Sequence, residues 1–441
     1  MSLEAVPRPP GNRGRPRRDG RYSSPPKRPK AAALSKRWAR SLFRAYANAL
    51  HECNDAFLRA VTTPLHETSE HARLRDQIRR FAQKEIAPFA NAWEEAGEFP
   101  RDLYHRAGAA GLHGVGYPEA YGGSGGDLSH ALAAAEELVL AGKSVGVTVG
   151  LGSHGIALPP ILRCGTEEQR QRFVPPVLRG DKVAALAITE PGGGSDVASL
   201  STRAVRRGDH YVVDGSKMFI TSGCRADIVT TAVRTGGPGH GGISLLIIEK
   251  GTPGFTVSRK LPKMGWWASD TAELSFDGCL VPVENRIGEE NSGFVPIMMN
   301  FATERLLLAS NCVAIAELAY RESIAYAKER RAFGKALTGF QVIRHKLADM
   351  ASRIAAARAL TNEVLQRFLR DEPVTGLAAM AKNTATDMCS FVCDQAVQIH
   401  GGYGYMREYV VERLFRDARL YPLGGGTREI MNEIICKTED Y

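Results

Sequence analysis

The stretch Ala184-Ala185-Leu186-Ala187-Ile188-Thr189-Glu190-Pro191-Gly192-Gly193-Gly194-Ser195-Asp196 is where the periodicity of this 441-residue chain changes, and the fold class follows from what lies on either side. Upstream, from about Ser69 to Gly180, apolar residues recur at helical spacing: Leu74, Ile78, Phe81 and Ile86, then Leu132, Ala135, Leu138 and Leu140 after the Gly122–Asp127 stop. From Ala184 the period shortens. Strand-like runs (Ala184–Ile188, His210–Val213, Met218–Thr221, Ile228–Val233, Ile243–Ile248 and Ala272–Phe276) are separated by Gly, Pro, Asn or Asp. After Gly293 long helices return: Phe294 to about Arg331, Gln341 to about Arg370, Val374 to about His400, and a shorter one after Glu408. Helices clustered on both sides of clustered strands predict an α+β protein, not a doubly wound sheet. The expected organisation is an extension (1–62), an N-terminal helical domain (63–182), a central β-domain (183–290) and a C-terminal four-helix-bundle domain (291–441).

The bulk composition limits the function classes. Lys and Arg exceed Asp and Glu by 57 to 48, but the first 44 residues hold 13 of the basic residues and only 2 acids. The remainder, with 44 basic and 46 acidic residues, is near neutral, so a nucleic-acid partner for the folded part is not expected. The basic tail is rich in Pro and Arg and lacks apolar periodicity, so it is expected to be disordered and dispensable. A transit segment or a nucleic-acid-binding arm are the other readings of it, and its early prolines disfavour a transit helix. Eight scattered cysteines without a Cys-x-x-Cys pair predict neither disulfides nor a metal site, and favour a reducing compartment. No apolar run approaches a membrane span. A bacterial cytoplasm is the first expectation and a mitochondrial matrix the second.

In the opening stretch, Pro191 stops the strand and three glycines let the backbone come close to a flat ligand, with the Thr189 and Ser195 hydroxyls beside the exposed amides. An ordinary tight loop has the same composition, and no Gly-x-Gly-x-x-Gly opens a helix here as a dinucleotide site would require. What makes the turn specific is its company. Asp214-Gly215-Ser216-Lys217-Met218-Phe219-Ile220-Thr221 follows, then Lys263-Met264-Gly265, Phe276, Val281-Pro282, Arg330-x-x-Phe333-Gly334-Lys335 and Phe340-Gln341. Gln398-Ile399-His400-Gly401-Gly402 and Arg416-Asp417-Ala418-Arg419, leading to Gly426-Thr427, complete the series. In this order and spacing the set resembles the acyl-CoA dehydrogenase family, from about Ser69 to the C-terminus.

The resemblance implies an FAD-dependent oxidation of an acyl-CoA thioester, with an electron-transfer flavoprotein as acceptor. By this resemblance Leu186, Ile188, Thr189, Gly194 and Ser195 line the flavin, and Phe219, Ile220 and Thr221 lie against its ring; the family often has Trp where Phe219 stands. Arg330, Phe333, Gln341, Gln398, Ile399, His400, Gly401 and Gly402, with Thr427 and Glu429, complete the cofactor set, partly from a neighbouring subunit. A homo-oligomer, a dimer of dimers, follows from that sharing. Ser195 is implied near the pantetheine, Gly426 beside the acyl end, Arg305 near the substrate entrance, and the Gly425 N–H at the thioester oxygen.

Many members place the catalytic glutamate just before the C-terminal Gly-Thr, where this chain has Gly425. A smaller group, similar to long-chain and isovaleryl-CoA dehydrogenases, carries it on the first C-terminal helix, and here Glu304 precedes Arg305. The residues support Glu304 independently. Ile297, Phe301, Glu304, Leu308 and Ile315 share one helical stripe, and a carboxyl on an apolar face has its pKa raised toward 6–7, the range of a working base. A flavin oxidase or oxygenase on the same fold, and a DNA-binding flavoprotein using the basic tail, are the alternatives. His400, Trp266 and Trp267 are expected to be packing or anchoring residues, Cys389 and Cys393 small buried ones, and Glu290 and Asp196 to orient backbone amides.

Overall fold

The computed structural model describes residues 67–440, so the reading of 1–62 lies outside the described residues. The first layer is helical: α1 (Ser69–Glu85), α2 (Ala90–Ala96), α3 (Asp102–Ala109), α4 (Leu128–Gly142), α5 (Val145–Leu151), α6 (His154–Ala157), α7 (Pro159–Cys164) and α8 (Glu167–Leu178). Side-chain caps set where several of these start. Thr68, Asp127 and Thr166 each accept from the first-turn backbone, and the third helical residue answers to the cap's own N–H. In α1 and α4 that third residue is a histidine, and the rings of His71 and His130 stack at 3.9 Å.

The strands β1 (Ala184–Ala187), β2 (Arg203–Arg207), β3 (His210–Thr221), β4 (Ile228–Arg234), β5 (Ile243–Glu249), β6 (Phe255–Lys260), β7 (Thr271–Pro282) and β8 (Arg286–Ile287) form one sheet. Its order is β6-β7-β3-β2-β4-β5-β8, with β1 parallel to β4. β4 and β5 are buried along almost their whole length, Thr230, Thr231 and Ser244 included, because both faces are covered. On one face Ala232, Leu245 and Ile247 meet Ile161, Phe173 and Val177 of α7 and α8. On the other, Val229, Val233, Leu246 and Ile248 meet Tyr211, Val213, Leu274 and Phe276 of β3 and β7.

β3 is a single strand where the sequence suggests two. Its pairing with β7 slips at Val213/Gly215 and again at Lys217/Ile220, so Asp214-Gly215 forms a bulge and not a turn. Only glycine fits there: at φ +144 a Cβ on Gly215 would lie 2.8 Å from the Thr202 Cα. β2 and β6 carry no apolar alternation to reveal them, β6 being almost wholly exposed.

The last domain contains α9 (Phe294–Glu329), α10 (Gln341–Leu369), α11 (Thr375–His400), α12 (Val410–Ala418) and α13 (Arg428–Glu439). α13 lies beyond the helices that the sequence pattern predicts. From Ala309 to Tyr320 every residue of α9 is buried, as expected of a helix enclosed on all sides. Polar pairs set its register: buried Glu136 of α4 accepts from Arg75 of α1, Ser310 of α9 and Arg358 of α10, and Arg358 also reaches Glu317 at 3.3 Å. Cys389 and Cys393 are fully buried, as the sequence implies.

Candidate functional site

The glycine-rich turn is held from below. Glu190 and Gly193 exchange two backbone hydrogen bonds at 3.1 Å, closing the loop that follows β1. Beneath it Lys217 is fully buried, and its Nζ donates to the Ile188 carbonyl at 3.0 Å and to Glu190 Oε1 at 2.8 Å. Glu190 also accepts from Ser201 N, Ser201 Oγ and Thr202 N at 2.6–2.8 Å. Burial alone would raise the Glu190 pKa, but the Lys217 charge and these donors take it down to about 2. Sequence reasoning quoted Glu190 and Lys217 within motifs and missed this role. Two groups of opposite charge facing each other between a turn and the strand beside it were the available signal.

The second slip in β3 shapes the surface above. The Met218 N–H donates to the Thr189 carbonyl at 2.8 Å, tying the bulge to the turn, and Phe219 takes the left-handed backbone (φ +64). Its ring is left 66% exposed beside buried Ile220 and half-buried Thr221. No atom lies within 4 Å of a Cβ built on Gly192 or Gly193, whereas at Gly194 that space is filled by Thr189. Thr189 is thus tied to the bulge at Met218–Phe219 and packs against Gly194, with Ser195 exposed, while Leu186 and Ile188 pack with the cluster under α7 and α8 and Ile220 with the one between β3 and β7. Met298 and Phe301 of α9 pack, as Leu186 does, on the cluster that contains Ile188, which brings the α9 stripe alongside.

One turn beyond Phe301, Glu304 projects toward the loop after α12. Its Oε2 is sealed from solvent and has no hydrogen-bond partner. Burial pushes its pKa up to about 7, against the opposing charges of Arg305 and Lys382. A Cβ built on Gly425 would lie 3.7 Å from Glu304 Oε1 and 2.6 Å from Leu308 Cδ1. The space that a side chain at 425 would enter is thus occupied from α9. Gly425 (φ +66) and Gly426 (φ +95) form a left-handed turn into Thr427, which caps α13. Arg305 lies beneath this turn, 6% exposed, with Nε donating to the Gly425 carbonyl at 3.4 Å.

The remaining expected cofactor residues divide. Arg330, Ile399, His400, Gly401 and Gly402 line one cavity of about 460 Å³ together with Tyr326, Tyr403 and Met406. Gln341 lines a separate cavity of about 590 Å³, and Gln398 lines neither. Phe333 is 95% exposed, and Glu429 lies exposed in the first turn of α13.

His400 packs as expected: buried, bonded to the Ala396 carbonyl at 2.8 Å and stacked on Tyr326. The Trp266-Trp267 segment is an anchor. The Trp266 N–H donates to Asp417 Oδ1 at 2.6 Å, and Arg416 stacks on Trp267 at 3.8 Å. Glu290 and Asp196 differ from expectation, their carboxylates accepting from the Tyr211 and Ser199 hydroxyls and not from backbone amides.

Family models describing the N-terminal, middle and C-terminal domains of acyl-CoA dehydrogenases match residues 68–181, 185–279 and 291–439. An acyl-CoA dehydrogenase of Bacillus subtilis is 42% identical over 85% of this chain and 98% of its own length. The mitochondrial long-chain specific acyl-CoA dehydrogenase of Mus musculus is 40% identical over 84% of this chain and 86% of its own. Among solved structures, a probable acyl CoA dehydrogenase from Mycobacterium abscessus superposes with a TM-score of 0.83 at 53% identity, covering 84% of this chain and 99% of that one. The fold, its three successive domains and these relatives agree: the chain belongs to the acyl-CoA dehydrogenase family of flavoprotein oxidoreductases.

Proposed function

We propose that this chain converts an acyl-CoA thioester to the trans-2-enoyl-CoA, with FAD bound between the glycine-rich turn and Phe219, and with Glu304 taking the α-proton. One observation carries the reading. The Glu304 carboxyl is half-buried, its Oε2 is sealed and unpartnered, it is poised near neutral pH, and it faces a turn with no side chain of its own. A group in that state is a strong enough base at pH 7 and remains largely ionisable.

The chemistry of these residues supports FAD. An exposed aromatic face lies beside unobstructed Gly192–Gly193 backbone, and the Arg330 cavity combines a guanidinium and glycine amides with apolar walls. Bound there, FAD supplies acceptance of the β-hydrogen as hydride. The protein's own residues do the rest. Glu304 takes the α-proton; the Gly425 N–H, which has no internal acceptor among the described hydrogen bonds, is assigned to the thioester oxygen as its negative charge develops. Arg305 holds the turn that carries this N–H. Gly426 is assigned to the acyl end, and Ser195, at the open rim, to the pantetheine.

Similarity in the base's position to long-chain relatives is the ground on which we assign long or branched acyl chains, and an electron-transfer flavoprotein is the acceptor we assign. Free, scattered cysteines suit a reducing compartment, a bacterial cytoplasm before a mitochondrial matrix. Anaerobic titration with an acyl-CoA series tests the whole reading. The wild type bleaches, most readily with the preferred chain, while Glu304→Gln keeps its yellow flavin and does not. Full reduction of the variant would remove Glu304 from the role, and rapid oxygen consumption by the substrate-reduced enzyme would point to an oxidase.

A further inference from the structure

Lys382 is a buried cation that the reaction scheme above does not use. It lies on α11 with its side chain wholly enclosed, and its Nζ donates to the Gly426 carbonyl at 2.5 Å. The ionisable groups facing it are Cys312, Arg305 and Glu304, all on α9, and the turn it grips is the one whose Gly425 would place a Cβ 3.7 Å from Glu304 Oε1. None of the described salt bridges pairs it with a carboxylate. Its bond to the turn is made on the residue next to the one that Arg305 holds, so two cations from two helices grip consecutive carbonyls, Gly425 and Gly426. Both are also the charges that Glu304 faces.

A lysine kept in so enclosed a place is costly, since desolvation disfavours the ammonium, and one backbone carbonyl is modest compensation. A neutral donor would close the turn equally well. What only a cation provides is a field at Glu304. With Arg305 alone, desolvation of Glu304 meets a single opposing charge, and the carboxyl holds its proton to higher pH.

We propose that Lys382 is a positioning residue for Glu304: through the Gly426 carbonyl it fixes the turn whose Gly425 faces the carboxyl, and its ammonium joins Arg305 in favouring the ionised carboxylate. The proposal rests on the reading of Glu304 as the base, but it concerns the carboxyl's titration and can be read without turnover.

The experiment is an infrared pH titration of the carboxyl C=O band in the holoenzyme, with the Glu304 signal identified by its loss in Glu304→Gln. Lys382→Gln retains a donor for the turn and removes the charge. The Glu304 midpoint is expected to rise by about one unit, leaving about tenfold less ionised base at a given pH below it. Lys382→Arg should return the midpoint to within about 0.3 units of wild type. The pH profile of flavin bleaching should move in parallel. A purely structural lysine lowers stability in Lys382→Gln without moving the midpoint, and an unmoved midpoint overturns the proposal.

If Lys382→Gln does not fold, the reciprocal measurement needs no change at Lys382. In Glu304→Gln the ammonium faces one carboxylate fewer and should lose its proton at lower pH, followed by Nζ-resolved NMR. An unchanged Lys382 titration there overturns the proposal as well. Bleaching that survives in Glu304→Gln would instead remove the base assignment, and the two failures are distinguishable because the infrared and NMR shifts report charge coupling and not chemistry.

Discussion

Glu304 connects chemistry to stability through one protonation. Desolvation raises its pKa from 4.5 to about 7, and Arg305 and Lys382 limit the rise. A group with a raised folded-state pKa favours the fold below its unfolded value and loses that contribution as pH climbs through the folded one. Glu304 is therefore neutral at no cost below about pH 4.5, and above pH 7 it is a carboxylate held where water is scarce. Glu304→Gln should stabilise the protein at pH 8.5 by on the order of 2 kcal/mol, allowing for partial exposure, and by almost nothing at pH 4.5. Urea denaturation at the two pH values measures it; equal stability gains at both would mean that Glu304 is not the group under strain. The same titration gives the wild-type bleaching rate a rise with pH centred near 7. The sequence made this carboxyl legible because an acidic residue interrupted an apolar stripe opposite a missing glutamate. It could not supply the second cation, since Lys382 is 78 positions away and meets the site only after α11 folds back along α9.

At the level of elements, the turn after β1 depends on a strand distant in sequence. Lys217 and Glu190 form a buried pair between β3 and that turn, and the carboxylate also holds the backbone at Ser201 and Thr202. Removing the cation alone leaves a buried carboxylate without its countercharge. Lys217→Met is expected to cost about 3 kcal/mol in urea denaturation and to open residues 190–202 to protease. Replacing both partners by apolar residues should cost less than the single change, and a single variant with normal stability and an intact loop would show the pair to be idle. This is also where the limits of sequence reading lie. Long, strongly periodic helices and the doubly buried runs of β4 and β5 were legible because burial writes itself as a pattern. β2 and β6 were not, being polar or exposed, and the bulges of β3 look in sequence like a turn between two strands. The bulge matters most, because it sets Phe219 outward beside the turn. A local slip in register, invisible in composition, makes the surface assigned to the flavin.

For the molecule as a whole, the expected cofactor residues form incomplete sets within one chain. Among the described residues Arg330 and the 399–402 segment share one cavity, Gln341 borders another, and Phe333 extends into solvent from a left-handed backbone (φ +49). An aromatic ring 95% exposed buries almost nothing within its own subunit. Holding it out at an unfavourable φ has a local cost without local return, and the simplest return is a partner subunit that covers it. Between the Arg330 cavity and such a partner, an adenosine and its phosphates would be enclosed from two sides, so assembly and flavin retention should be coupled. Phe333→Asp tests this without touching any core. The prediction is a species of lower mass by light scattering and flavin affinity weaker by about tenfold or more, about 1.4 kcal/mol. Far-UV circular dichroism should be unchanged, because the ring is exposed and meets Phe340 only edge-on at a centroid distance of 6.1 Å. Unchanged mass with unchanged flavin would place the cofactor within one subunit and leave the exposed ring without a role in assembly. Loss of flavin at unchanged mass would instead make Phe333 a direct contact within an assembly held elsewhere, and dilution experiments on the wild type separate that case by showing whether flavin leaves as the subunits part.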